Sequence, residues 1–599
     1  METQAATFPH LFFRQVNNQQ QRIALRRKDY GIWNRITWQQ YGQMVQEVAA
    51  GLISSGLERG DRVAILGDNR PEWLICHLAT MSIGCVTCGI YSTSASDGVA
   101  FVAGHSESKV LFVENEEQVD KVLQIMPELK VKIVVVWESK GLWGFSHERI
   151  IFYDEFIAKG KAFLQAHPHS VQQRMDAIDP QDTAMMIYTS GTTGRPKGAM
   201  LTHHNILSIT DSFTAAVPMR SDDEVLSYLP LAHIYENIMS LFQAIWNGST
   251  VNFVESIDTL AQNLREVSPT LFGSVPRIWE KFASMIEIRM SDSTLVKKVL
   301  YRFAVSIGLR YVKSGANTWR RFRLSLLYWP LYALVLYHLK RQLGLERIRY
   351  AICAAAPASP ELFEFFNALG IPLREAYGQT ESTGVIAVQR IERPRWGFVG
   401  EPLPKVEVKI AEDGEILARG PGVFKGYYKN PELTAETIKD GWLYTGDVGA
   451  LDNGYLKILD RKKDILITAG GKNITPAFIE NKLKFSSYIQ DAVVIGDGRK
   501  FLVALILIDE DNVTKYAQDN RIPFTTFADL TQNAEILKLI NAEVLKVNKT
   551  LSKPETIKKF ALLPRRLYEE DGDVTPTKKV KRAFLEKRYA DLIETLYKR

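Results

Sequence analysis

The chain has 599 residues, of which 46% are hydrophobic and 24% charged, and a formal net charge of +6. That length is too great for one hydrophobic core, so at least two domains are expected, and the composition is that of an ordinary soluble globular protein rather than a disordered one. Residues 1–20 lack the basic start and apolar core of a secretory signal, and the four cysteines (Cys76, Cys85, Cys88 and Cys353) fit a reducing compartment, so a cytoplasmic protein is expected.

Early segments alternate between helical and extended patterns. Trp38–Ser55 reads as a helix, Arg62–Leu66 as a strand, Trp73–Ile83 as a helix, and Val86–Ile90, Val110–Val113 and Ile133–Val136 as strands. This alternation predicts an α/β architecture with mainly parallel sheets. Cys85-Val-Thr-Cys88 has the spacing of a metal or redox pair, but residues three apart on a strand face opposite sides, which favours core cysteines.

An apolar run, Ala184–Ile187, reads as a buried strand leading into Tyr188-Thr-Ser-Gly-Thr-Thr-Gly-Arg-Pro-Lys197, and Thr202–Ser208 reads as the start of a helix. Gly191 and Gly194 let successive N–H groups converge on an anion, Ser190, Thr192 and Thr193 add hydroxyl donors, and Lys197 adds a positive charge. Together they form a polyphosphate cradle. It is not the usual P-loop, because Lys197 is followed by Gly198 instead of serine or threonine.

Residues 293–345 contain no Asp or Glu but carry ten lysines and arginines, more than the net charge of the whole chain. Within them Leu324–Leu339 is apolar and aromatic. As a helix it spans about 24 Å at ~1.5 Å per residue, short of a ~30 Å hydrocarbon core, and Pro330 interrupts it. Two readings stand: docking on an anionic membrane surface through 293–345, or a buried helix pair with a solvated basic face. Nucleic-acid binding is not expected.

From Val406 onward the pattern is of hairpins, Val406–Ile410 and Glu415–Arg419 with turns at 412–414 and 452–454, which predicts a small β-rich subdomain. A helix near Pro476–Lys484 and the strand pair Ala492–Ile495 and Leu502–Ile508 predict a separate α+β C-terminal domain.

The segment 188–200 resembles the signature loop of the adenylate-forming (AMP-binding) superfamily. Further motifs of that superfamily stand in order at Leu229-Pro-Leu-Ala-His233-Ile, Tyr377-Gly378-Gln379-Thr380-Glu381, Tyr444-Thr-Gly-Asp447, Asp460-Arg461-Lys-Lys463-Asp464 and Thr575-Pro-Thr-Lys-Lys579. The resemblance implies an N-terminal AMP-binding and acyl-binding domain over 1–460, a hinge at 461–464 and a mobile C-terminal domain over 465–599. It implies ATP, Mg²⁺ and coenzyme A as cofactors, with Glu381 holding the metal, assisted by Thr189. Asp447 is similar to the acid that takes both ribose hydroxyls, and Arg461 to its partner. Ala355, Ala356, Pro357 and Tyr377 line up with the segments that enclose adenine. His233 matches a histidine beside the substrate carboxylate, although a core histidine explains it almost as well. Registering Arg582 on the superfamily's arginine makes Lys579 the catalytic lysine; Lys578 stands where glycine is usual, and Lys581 competes. Rotation about Lys463 implies that Gly470 and Gly471 approach the pantetheine thiol.

The length and the basic insertion look like those of long-chain fatty acyl-CoA synthetases. The implied activity joins a fatty acid to AMP with release of diphosphate, then passes it to coenzyme A. An acyl carrier protein as acceptor, another bulky acid, or a non-catalytic fatty-acid carrier are the alternatives.

Overall fold

A computed structural model describes the chain except for residues 1–5, 190–194, 316–317, 569–570, 576–579 and 599. Two large sheets dominate, of eight and nine strands. In the eight-stranded sheet Arg62–Leu66, Val86–Ile90, Ser108–Val113 and Ile133–Val136 run parallel, and Thr183–Thr189 joins them beside Val86–Ile90. These strands read as continuous apolar runs because helices cover both faces. Cys85 and Cys88 contribute to cores on opposite sides of this sheet, and all four cysteines are buried and free.

The nine-stranded sheet contains a parallel set, Glu224–Ser227, Thr250–Phe253, Leu271–Ser274, Tyr350–Cys353 and Leu373–Tyr377. A five-stranded antiparallel sheet follows, built on the long strand Trp442–Asp452 paired with Glu415–Arg419 and Tyr455–Arg461. The C-terminal part packs helices on a mixed sheet of Ile489–Ile495, Leu502–Ile508 and Ile557–Leu562.

Most expected elements form where the patterns put them. The sequence reading names neither the strands of the nine-stranded sheet nor Lys197–Thr202, which pairs antiparallel with Thr183–Thr189 and places Lys197 opposite Thr189. Thr202 then caps helix His203–Ala216, its side chain accepting from Asn205 N while the Asn205 side chain reciprocates.

The basic insertion forms helices Leu295–Val312 and Thr318–Leu331, a π-turn Tyr332–Leu336 directly after Pro330, and helix Tyr337–Gln342. The helix pair is buried on one side, where Tyr301, Ala304, Ile307 and Leu336 join a core, and open on the other. Tyr328 is buried and stacks on Tyr311 with ring centroids 4.6 Å apart, but Trp319, Phe322, Leu326, Leu327 and Trp329 are all more than half exposed. No helix among the described residues is long and apolar enough to cross a membrane.

The C-terminal part touches the rest through ion pairs: Lys515 with Asp292 at 2.8 Å and Lys482 with Glu361 at 3.5 Å. Partly exposed pairs of this kind contribute about 0–1 kcal/mol each, and Glu280 is partly buried beside Lys484 and Asp491 at the same junction.

Candidate active site

The site forms where the ends of three sheets meet. Strand Leu373–Tyr377 delivers Tyr377, and the 3₁₀ turn Thr380–Ser382 delivers Glu381. Gly378 permits this bend: a side chain there would lie 2.3 Å from the carbonyl oxygen of Gly384. From the antiparallel sheet comes Asp447, preceded by Gly446 at φ 72°. The Gly446 N–H donates to buried Glu415 at 2.9 Å, which fixes the turn that aims Asp447.

Asp447 is buried and paired twice. The Tyr377 hydroxyl donates to Oδ2 at 2.7 Å, and Arg461 Nε lies 3.1 Å from Oδ1. Burial, with the neighbouring Asp447 charge adding to it, raises the Tyr377 hydroxyl well above its ordinary range, so it stays a donor. Partial burial works against the Arg461 charge, but Asp447 and Tyr377 more than compensate and raise its pKa. Register pairs Asp447 with Arg461 at the end of the ladder. A sequence reading finds both residues, yet only the folded ladder shows that one cation covers the acid.

Glu381 meets a residue that sequence reasoning missed. The Tyr427 hydroxyl donates to Glu381 Oε1 at 2.6 Å, and Lys197 Nζ lies 5.7 Å from the centre of the Tyr427 ring. Strand Gly426–Tyr427 pairs with Lys197–Thr202, which is how the lysine and the tyrosine meet. Lys425-Gly-Tyr-Tyr-Lys429 showed an aromatic pair between lysines, but nothing in its spacing marks a partner for Glu381. Glu381 also lies in the electrostatic field of Arg461. The described residues contain no cluster of three or more metal-ligating side chains, and Mg²⁺ commonly needs only one or two carboxylates when phosphates supply the rest. Glu381 has that character.

Ala355 lies just beyond strand Tyr350–Cys353 at φ 71°, a left-handed conformation rare for a residue other than glycine, and Ala356 and Pro357 follow it. His233 caps helix Ile234–Asn237: its Nδ1 accepts from Tyr235 N at 3.1 Å, and burial pushes the imidazole down to about 4. The neutral ring therefore carries its proton on Nε2.

The remaining expectations are placed less directly. Ser190, Gly191, Thr192, Thr193 and Gly194 lie outside the described residues, as do Lys578 and Lys579. Thr189 and Lys197 flank that loop as register partners. Lys581 is exposed and precedes helix Arg582–Arg588, while Arg582 is tied inside the C-terminal part to Glu480 and to Val494 O, both at 2.6 Å. Gly470 and Gly471 lie in the exposed turn between Leu466–Ile467 and Asn473–Ile474. Lys463 is exposed, whereas Lys462 just before it is clamped by Asp413 and Glu415 at 2.6 and 2.9 Å.

Residues 12–428 match the family model for AMP-binding enzyme, and residues 463–599 that for the AMP-binding enzyme C-terminal domain. The chain belongs to the AMP-binding enzyme family. It is 34% identical to the long-chain-fatty-acid–CoA ligase FadD15 of Mycobacterium tuberculosis, over 95% of this chain and 93% of that one. It is 31% identical to the long-chain-fatty-acid–CoA ligase ACSBG2 of Xenopus laevis, over 99% and 84%. The fold matches the anthranilate CoA ligase AuaEII with anthranoyl-AMP, at TM-score 0.72 and 18% identity over 97% of both chains. It also matches the adenylation domain of a carboxylate reductase from Mycobacterium chelonae, at TM-score 0.75 and 19% identity over 100% of this chain and 92% of that one.

Proposed function

We propose that the protein is an ATP-dependent, AMP-forming long-chain-fatty-acid–CoA ligase. The observation that carries this reading is the convergence of Tyr377, Glu381, Tyr427, Lys197, Asp447 and Arg461 on one site. Such a site offers a carboxylate to a metal, a doubly paired acid to a ribose, and two cations to phosphates.

The reaction follows from charge. A fatty carboxylate is a poor electrophile because oxide would have to leave. Its oxygen attacks the α-phosphorus of ATP, the bond to diphosphate breaks, and the acyl group acquires AMP as leaving group. Glu381, with Thr189 beside it, would hold Mg²⁺, which would supply neutralising charge to the phosphates. Tyr427 orients Glu381, whose Oε2 has no hydrogen-bond partner among the described residues. Asp447 trades part of its pairing with Tyr377 and Arg461 for the ribose hydroxyls, and Arg461 follows the phosphate. Lys197 and the loop 190–194 receive the departing diphosphate. Ala355, Ala356 and Pro357 present a small-residue surface to adenine along with Gly378, Gln379 and Thr380. Neutral His233 donates from Nε2 toward the acyl carboxylate. In the second step the thiol of coenzyme A attacks the acyl carbonyl, loses its proton, and expels AMP.

Lys579 serves only the first step, so domain 465–599 must turn relative to 1–460 about the hinge 461–464. The change from clamped Lys462 to Lys463, which has no ion pair among the described residues, supports that hinge. Lys463→Pro is expected to spare adenylate formation and slow thioester formation at least 10-fold, because proline fixes φ. Equal loss of both half-reactions would remove the hinge assignment. After the turn, Gly470 and Gly471 lie close to the thiol.

Attachment to an anionic membrane surface through 293–345 belongs to the same reading. Twelve large hydrophobic residues between Leu295 and Tyr337 are exposed, beside Lys297, Lys298, Arg302, Arg310 and Arg323, which have no ion pair among the described residues. Palmitate-dependent exchange of labelled diphosphate into ATP tests the first step, and coenzyme A against acyl carrier protein as acceptor tests the second. Release of ADP, or no exchange with any long-chain acid, refutes the ligase reading; transfer only to the carrier protein replaces the acceptor.

A further inference from the structure

Helices Pro276–Ser291 and Leu295–Val312 and the segment 334–343 wall a cavity of about 550 Å³. Its floor is buried and apolar, formed by Phe282, Ile286 and Leu343. Its lip carries Arg265, Arg289 and Lys297, all exposed and without an ion pair among the described residues. No Asp or Glu lines it. The volume lies in the range of small-ligand sites. The walls offer a sugar or a nucleotide few hydrogen-bonding groups, and a small anion would touch only the lip. Chemistry divided in this way, hydrocarbon below and cations above, matches an anionic single-chain amphiphile.

The cavity also has a fixed relation to the reaction centre. Phe282 on its floor packs on Phe272 with ring centroids 6.3 Å apart, and Phe272 stacks on Tyr228 at 5.5 Å. Trp279 closes the stack edge-on, 5.5 Å from Phe272 and 5.9 Å from Phe282. Tyr228 directly precedes the Leu229–His233 segment. Two rings, Phe272 and Tyr228, therefore lead from the cavity floor to the start of that segment. A chain bound here with its carboxylate at the lip keeps its reactive end on the far side of that stack.

We infer that this cavity is a second binding site for free long-chain fatty acid, holding the chain tail-inward with its carboxylate on Arg265, Arg289 and Lys297. The acid in this pose cannot be adenylated; it is held at the exposed face of 293–345, where Leu300 and Leu334 form part of the lip. Met285 and Met290 in the wall let it adapt to chains of different length. The choice of a fatty acid as ligand rests on the proposed ligase activity.

The test measures [¹⁴C]palmitate binding by equilibrium dialysis with the full chain, its adenylation site saturated by palmitoyl-sulfamoyl-adenosine. One palmitate per chain is expected to remain bound. The double variant Arg289→Glu/Lys297→Glu, exposed and remote from the folding core, should weaken it at least 10-fold, and laurate should bind at least 10-fold more weakly than palmitate. Ile286→Trp, which fills the floor, should abolish it. Loss of all palmitate binding once the analogue is present, or full binding by the double variant, overturns the inference. So does displacement of the labelled palmitate by dihexanoyl phosphatidylserine at a lower concentration than by unlabelled palmitate, which would assign the lip to a lipid headgroup. Failure of the ligase reading shows separately, as absence of palmitate-dependent exchange in the unmodified protein, and leaves the dialysis result intact.

Discussion

Two charged regions of this molecule handle charge in opposite ways. Around Asp447 and Glu381 every acid has a partner: Tyr377 and Arg461 hold one carboxylate, and Tyr427 holds the other. In 293–345 only part of the charge is used internally, as where Lys313 meets Glu364 at 2.8 Å and buried Lys340 reaches Gly370 O at 3.0 Å. Lys298, Arg302, Arg310 and Arg323 stand without an ion pair among the described residues, beside exposed aromatic rings. A preorganised site keeps its groups paired until a ligand replaces the partners, so little reorganisation remains at the moment of reaction. The charges of 293–345 are instead solvated beside exposed apolar groups, as the proposed attachment to an anionic membrane surface requires.

The comparison breaks first at the basic face. Replacing Lys298, Arg302, Arg310 and Arg323 together by Gln removes about 1 kcal/mol per charge near an anionic bilayer, so partition onto phosphatidylserine-containing vesicles should fall by roughly 10³-fold. Activity on a short, water-soluble acid should be unchanged. Vesicle co-sedimentation at low salt measures the first and diphosphate exchange the second; unaltered vesicle binding would show that the exposed cations are merely solvated.

At the paired site the effects fall on chemistry instead. Glu381→Gln keeps a hydrogen-bond acceptor for Tyr427 but loses the charge proposed to hold the metal, and adenylate formation should drop about 10²–10³-fold with little change in vesicle binding. Tyr427→Phe should be milder, since it frees Glu381 without neutralising it. Asp447→Asn should raise the KM for ATP about 10- to 100-fold, the worth of one charged hydrogen-bonding partner. Single-turnover assays at varied ATP separate these outcomes. Equal kcat loss in Asp447→Asn and Glu381→Gln would blur the assignment of ribose and metal roles.

How much of this was legible beforehand differs by region. Continuous apolar runs such as Arg62–Leu66 and Leu502–Ile508 declared strands because parallel or covered strands need apolar residues on both faces. Glu381, Asp447 and Arg461 were legible as members of motifs. Tyr427 was not, because its role depends on the pairing of Gly426–Tyr427 with Lys197–Thr202, a contact made across more than two hundred residues. The strand Lys197–Thr202 itself was hidden by the polar loop before it, whose glycines and hydroxyls dominate any local reading. The insertion misled in a different way: alternating aromatic and aliphatic residues fit a buried helix and a membrane-facing one equally well. The exposure of Trp319, Phe322 and Trp329 leaves one face of the insertion open, and vesicle binding tests what meets it.

A smaller effect comes from the core beneath the paired site. His77 and His203 are fully buried, and neither ring nitrogen of either has a hydrogen-bond partner among the described residues. Burial pushes His77 down to about 3 and His203 to about 4, each from an ordinary value of 6.5. Between about pH 6.5 and 4 the unfolded chain therefore takes up protons that the folded one refuses. Stability is full above pH 6.5 and is lost as pH falls through that window, at about 1.4 kcal/mol per unit for each histidine. His77→Leu removes one such site and two unsatisfied nitrogens. Relative to the unmodified protein it should gain about 2 kcal/mol on going from pH 7 to pH 5, read from urea unfolding at the two pH values. Parallel pH profiles for the two proteins would mean that His77 does find a proton partner in the folded core.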